Sequence, residues 1–181
     1  MKKHILASVA AATLLSVTGI SAAHADDSPL AGTYMGIQGG YDIFGFGSHG
    51  KGVEGGVYMG YNAPVGDSMM VGGEVNFNLT DAKSSLAQAK AKNNYGIAAR
   101  VGYLVSDTSM LYVRGGYQRA LINVATLGSK HFDGWQLGGG IEAAISDQMS
   151  VRAEFVYNRY NSGLGLHPNQ KNMNIGLAYH F

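Results

Sequence analysis

From Met173 to Phe181 every second residue is large and apolar: Met173, Ile175, Leu177, Tyr179 and Phe181 alternate with Asn174, Gly176, Ala178 and His180. A period of two marks a strand with two unlike faces. Chain termini usually fray, so a final segment patterned to its last residue is expected to lie between two neighbouring strands. The same alternation recurs seven more times. The first stretch sets Met35, Ile37, Gly39, Tyr41 and Ile43 against Tyr34, Gly36, Gln38, Gly40 and Asp42. The second runs from Val53 to Asn62, the third from Val71 to Thr80 and the fourth from Asn94 to Tyr103. The fifth covers Leu111 to Gln118, the sixth Trp135 to Ala144 and the seventh Met149 to Asn158. Each has about the 9–11 residues that a tilted strand needs to cross a bilayer.

The connections alternate in length. Residues 45–52, 81–92, 125–132 and 161–170 are long; 63–68, 106–109 and 146–148 are short. Eight strands joined in this way predict an all-β fold, an eight-stranded antiparallel up-and-down transmembrane β-barrel. Ser106-Asp107 with Tyr117-Gln118-Arg119 returns as Ser146-Asp147 with Tyr157-Asn158-Arg159 at equal separation, which reads as a reused hairpin. The segment 82–92, AKSSLAQAKAK, is compatible with a turn or two of helix but reads first as a basic loop.

Residues 1–25 stand apart. Lys2 and Lys3 precede a short apolar run, and Ala23-His24-Ala25 forms an A-x-A cleavage site, so this stretch is expected to be a cleaved secretory signal peptide. An uncleaved anchor fits less well, because the run is short and broken by Ser and Thr. Residues 26–32 then form a short periplasmic segment before a barrel over 33–181. Loss of Lys2 and Lys3 takes the formal charge from +1 to −1, which points to no nucleic-acid partner. The chain has no cysteine, so thiolate metal sites and disulfides are excluded.

Alternation alone does not say which face is inside, since a soluble barrel also alternates. Two features favour an inverted barrel. Aromatic residues cluster at the two ends of the apolar face: Tyr41, Phe77, Tyr95, Tyr117, Trp135 and Tyr157 beside the long connections, and Tyr61, Tyr103, Tyr179 and Phe181 beside the short ones. Two membrane–water interfaces select such bands. The opposite face mixes glycines with Glu54, Glu74, Arg100, Arg114, Glu142, Arg152 and Glu154, and carries no lysine within the alternating stretches. Arginine suits confined bidentate pairing, so these seven residues are expected to form a lumen charge network. His180 shares their face.

With the motifs GGYQRA, WQLGGGIEAAISDQMSVRAEFVYNRY and LAYHF, the chain resembles the small outer-membrane β-barrel domain family, which includes OmpX-like and opacity-type proteins. The resemblance covers essentially the whole mature chain. It implies residence in the bacterial outer membrane and insertion by the outer-membrane assembly machinery; removal of the signal and the even strand count place both termini in the periplasm. That machinery would read Leu177, Tyr179 and Phe181.

If the long connections face outward, Lys51, Lys83, Arg119, Arg159 and Lys171 fall on the lipid-facing parity just beyond the upper aromatic band. Their expected partner is lipopolysaccharide in the outer leaflet, with stems lying along the apolar wall. The alternative is an ordinary solvated rim. His49, His131 and His167 lie in the long connections and read as solvated histidines in preference to a metal site. The glycine-rich GYDIFGFGSHGKG lacks the spacing of a phosphate loop, and Gly138 to Gly140 read as interior clearance.

No cofactor is implied. The leading reading is a non-enzymatic, envelope-stabilising barrel that presents loops to a host or surface ligand, with a packed lumen. A narrow small-solute channel is the alternative. A lipid A-modifying enzyme is a further one, for which Ser162 and His167 share a loop without any feature to fix their geometry.

Overall fold

The computed structural model describes residues 28–45, 49–80, 83–84, 89–124, 128–161 and 169–181, with 44–45, 49–51, 83–84, 89–92, 121–124, 128–132 and 161 described for the backbone. The strands are β1 (Gly32–Gly45), β2 (His49–Val65), β3 (Met69–Thr80), the two-residue β4 (Lys83–Ser84), β5 (Ala89–Ser106), β6 (Ser109–Val124), β7 (Gly128–Ser146), β8 (Met149–Asn161) and β9 (Asn169–His180). Eight form the wall, each paired antiparallel with its neighbour in sequence. β4 joins β2 and β5 beyond the end of β3, at Lys51↔Lys83 and Lys83↔Lys90. Within the segment 82–92, residues 83–84 and 89–92 are strand; residues 82 and 85–88, on which the expected helical turn would fall, lie outside the described set.

The wall closes on itself. β9 pairs with β1 from Tyr34↔His180 to Gly45↔Asn169, and the Phe181 amide donates to the Thr33 carbonyl at 3.0 Å. The terminal strand is therefore a seam, and its main-chain groups are satisfied on both edges, as hydrocarbon requires. The register also sets the tilt. A path of paired residues from Tyr34 runs through Gly60, Glu74, Ala98, Gly116, Gln136, Asn158 and Gln170, and returns to β1 at Phe44, ten residues further along. With about 3.3 Å per residue and about 4.8 Å between strands, that offset tilts the strands by about 40°.

The faces are inverted relative to a soluble barrel. Val75, Val101, Ile141 and Ile175 are exposed by 45, 43, 46 and 67%, whereas Glu74, Arg100 and Glu142 are exposed by 3, 3 and 0%. Most rings of both predicted bands lie on the outer wall, with Trp135 and Tyr157 packed at 5.8 Å and Tyr179 and Phe181 at 5.1 Å. From Trp135 to Ile145 along β7, at that tilt, the apolar wall spans roughly 25 Å, the height of an outer-membrane hydrocarbon band.

The eight wall strands are 12–19 residues long, more than the 9–11 read from alternation. Pairing carries on past the bilayer-facing stretch, where side chains no longer need to alternate and the pattern vanishes from the sequence. At the other end the turns are tight: residues 66–68 with Gly66 at φ +64°, 107–108 and 147–148.

Candidate functional site: the lumen and the basic rim

The lumen fills in layers. At the short-turn end Leu30 folds inward and packs with Met70, Met110 and Tyr112, joined by Ala31, Leu104 and Ala144. Asn62 Nδ2 holds the Leu30 carbonyl at 2.9 Å. Residues 28–31, which the sequence suggests only as a short segment before the barrel, therefore plug its end.

Above the plug lies the charge layer. Glu74 accepts from Arg152 Nη1 at 2.5 Å, Arg114 Nη1 at 2.8 Å, the Tyr34 hydroxyl at 2.9 Å and Arg100 Nη1 at 3.4 Å. Arg100 Nη2 donates to Glu142 at 2.6 Å, and Arg114 reaches Glu154 at 3.1 Å, where the Tyr112 hydroxyl also donates. Arg152 stacks over the Tyr58 ring at 3.4 Å, and Arg100 over Tyr112 at 4.0 Å. Buried guanidiniums need both charge and directed acceptors, and these have them. The register makes room. Arg100, Arg114 and Arg152 stand directly opposite Gly72, Gly138 and Gly176, where a β-carbon would press within 3.1–3.3 Å of each arginine stem. The tyrosines of this layer carry no charge to mark them in the sequence; their opposite numbers do, because Tyr34, Tyr58 and Tyr112 also face glycines, at 60, 36 and 140.

Glu54 departs from the expected network. It is buried but carries no ion pair among the described residues, and neither of its carboxylate oxygens has a hydrogen-bond donor. It stands higher in the lumen, diagonal to Asp42, in a shell of amides: Gln38, Asn76, Asn78, Gln118, Gln136, Asn158, Asn172 and Asn174. Together with Arg114, Glu154 and Val156 this shell lines a cavity with room for about one water molecule.

A serine, a histidine and a carboxylate also meet in the lumen. Ser150 Oγ lies 2.9 Å from His180 Nε2 and donates to Glu142 Oε1 at 2.7 Å. A serine nucleophile needs the carboxylate on the far nitrogen of the histidine. Here Glu142 lies 3.6 Å from the same Nε2, Nδ1 has no partner, and all three side chains are sealed from solvent. The trio ties β7, β8 and β9 together. Ser162 and His167 lie outside the described residues, as do the side chains of His49 and His131.

On the outer wall Arg119 stands opposite Tyr95 on one side and Asp133 on the other. Its Nε donates to Asp133 Oδ1 at 2.5 Å. Arg159 is opposite Trp135, and Lys171 is opposite Tyr157 and Ile43; both are exposed. The backbones of Lys51 and Lys83 pair with each other, and their side chains lie outside the described set.

A closed barrel with an apolar exterior, aromatic bands and a sealed ionic interior defines a transmembrane protein of the outer-membrane type. Residues 12–181 match the family model for the outer membrane protein beta-barrel domain. The chain belongs to that family and is an outer-membrane β-barrel protein. It is 27% identical to the 31 kDa outer-membrane immunogenic protein of Brucella melitensis biotype 1 over 240 aligned positions covering all of both chains. Among solved structures, neisserial surface protein A aligns with a TM-score of 0.62 at 14% identity, over 83% of this chain and 98% of the other. The attachment invasion locus protein Ail of Yersinia pestis aligns at 0.54 and 15%, over 84 and 100%. These two likenesses show the shared fold.

Proposed function

We propose that this protein is a non-conducting, non-enzymatic structural barrel of the bacterial envelope, with its long connections facing outward for surface recognition and its short turns and termini in the periplasm. The filled lumen carries the reading. The plug around Leu30 and the ionic layer around Glu74 leave the wall, the rim and the long connections as the surfaces open to partners. The relative from Brucella is named an outer-membrane immunogenic protein and Ail the attachment invasion locus protein, names that fit an outward-facing role. In planar bilayers the purified protein should show no stable conductance; open steps persisting for seconds would support a small-solute channel instead.

In this reading the basic rim rests on lipopolysaccharide phosphates. Arg159 and Lys171 flank the Trp135–Tyr157 pair, so their stems can lie on the rings while their charges reach the headgroups. Arg119 is engaged by Asp133 and contributes less. Lys51 and Lys83 extend the same rim by parity. Arg159→Gln with Lys171→Gln should lower the lipopolysaccharide that co-purifies with the barrel, whereas Arg119→Gln alone should lower it less. Retention unchanged in the double variant would remove the rim from this role. Leu177, Tyr179 and Phe181, on the outer face of the seam strand, are the residues through which the assembly machinery would take up the chain.

A further inference from the structure

We propose that Asp42 and Glu54 form a carboxylic acid–carboxylate pair that holds one proton and clamps β1, β2, β3 and β9 together at the long-connection end of the lumen. Both side chains are buried, Asp42 fully and Glu54 at 5% exposure. They project from neighbouring strands, diagonal across the Gly40↔Glu54 and Asp42↔Gly52 pairs, and their carboxyl groups are in contact. The arginines of the layer below are engaged elsewhere: Arg100, Arg114 and Arg152 pair with Glu142, Glu154 and Glu74. Among the described residues no cation forms an ion pair with Asp42 or Glu54. Two carboxylates that share a site without a cation keep one proton between them, because full ionisation would set like charges side by side in a low-dielectric interior.

Asp42 is the acceptor of the pair. The Thr80 hydroxyl donates to its Oδ2 at 2.7 Å, Gln170 Nε2 donates to the same oxygen at 2.9 Å, and Asn172 Nδ2 donates to Oδ1. Glu54 instead stands among acceptors. It lies against Asp42, Asn172 and Asn174, yet neither of its oxygens receives a hydrogen bond. Asn172 has its nitrogen committed to Asp42, and its oxygen accepts from Asn158 Nδ2 at 2.8 Å. The side-chain oxygens of Asn158 and Asn174 have no donor. A carboxylate here adds two acceptors to a place already short of donors, whereas a carboxylic acid supplies an O–H. The proton therefore sits on Glu54 and is donated to Asp42. The resulting chain joins Glu54 on β2 and Asp42 on β1 to Thr80 on β3 and to Gln170 and Asn172 on β9, across the seam. Gln170 in turn accepts from the Tyr160 hydroxyl of β8 at 2.8 Å. The other titratable groups that face the pair are the Tyr160 phenol and, across the cavity, Arg114 of β6 and Glu154 of β8. Lys92 lies at an irregularity of β5, two residues from the buried Asn94, and its side chain is outside the described set.

In the unfolded chain both carboxyls ionise near about pH 4. Above about pH 5 the folded barrel thus carries one proton more than the unfolded chain, and its stability falls as pH rises until the pair itself ionises. The test compares the full-length barrel, folded in lipid vesicles, with Glu54→Gln, whose amide N–H donates to Asp42 and has no proton to lose. In urea titrations the unfolding constant of the parent should rise about tenfold per pH unit relative to that of Glu54→Gln. Infrared spectra in D₂O at neutral pH should show the carbonyl band of a protonated carboxyl in the parent and lose it in Glu54→Gln. Parallel pH profiles of the two proteins, or absence of that band from the parent at neutral pH, would overturn the proposal. A band that the parent lacks and Lys92→Met shows would overturn it in a particular way, by assigning the compensating charge to Lys92.

Discussion

Glu74→Ala is expected to destabilise the folded barrel by about 3–5 kcal/mol, as removing one partner of a buried ionic group does. Glu74 is contacted by all three lumen arginines and by Tyr34. Its loss leaves Arg152 with Gln38 as its remaining hydrogen-bond partner, and Arg100 and Arg114, directly opposite each other in the register, share what negative charge remains. Urea titration in lipid vesicles should show the loss. Adding Arg152→Met to Glu74→Ala should recover part of it, because one of the stranded charges is then gone. A single-variant cost below about 1 kcal/mol, the size of an ordinary substitution, would mean that the arginines find other acceptors and that Glu74 is not their hub. Glu142→Ala should cost less than Glu74→Ala, since Glu142 serves a single arginine, Arg100, together with Ser150.

The second large effect lies on the opposite face. Val113, 61% exposed and between the two aromatic bands, should tolerate arginine poorly in a bilayer, at about 2–4 kcal/mol, whereas Ile145→Arg beside the short turn should cost about 0–1 kcal/mol. The contrast arises because a guanidinium at mid-wall has no water within reach, while one at the rim can snorkel to it. Refolding yield and urea midpoints in vesicles measure both variants. Equal costs at the two positions would mean that the exposed apolar band does not lie across hydrocarbon.

Much of this architecture is visible in the order of residues. Strict alternation from Met173 to Phe181 requires two unlike faces. The sorting of Tyr95, Tyr117 and Trp135 from Tyr61, Tyr103 and Tyr179 identifies two interfaces. Arginine and glutamate without lysine on the other face identify a confined interior. These are local properties, carried by period and by residue type, and they survive without knowledge of the register. Hence the number of wall strands, the inversion and the face on which the charged residues stand are legible in the chain.

What the sequence does not contain is which residues meet across the lumen. Glu54 and Glu74 are the same residue type on the same face, yet among the described residues one has no cation and the other has three. The difference lies in the ten-residue offset of the closed sheet, which places Arg152, 78 positions away, against Glu74, while Glu54 stands higher among the amides. Arg119 and Arg159 likewise follow the same Tyr-x-Arg pattern, but only Arg119 is placed opposite an aspartate. Alternation determines the face on which a side chain stands. The shear of the barrel determines its height, and only side chains at one height can share a proton, a charge or an ion.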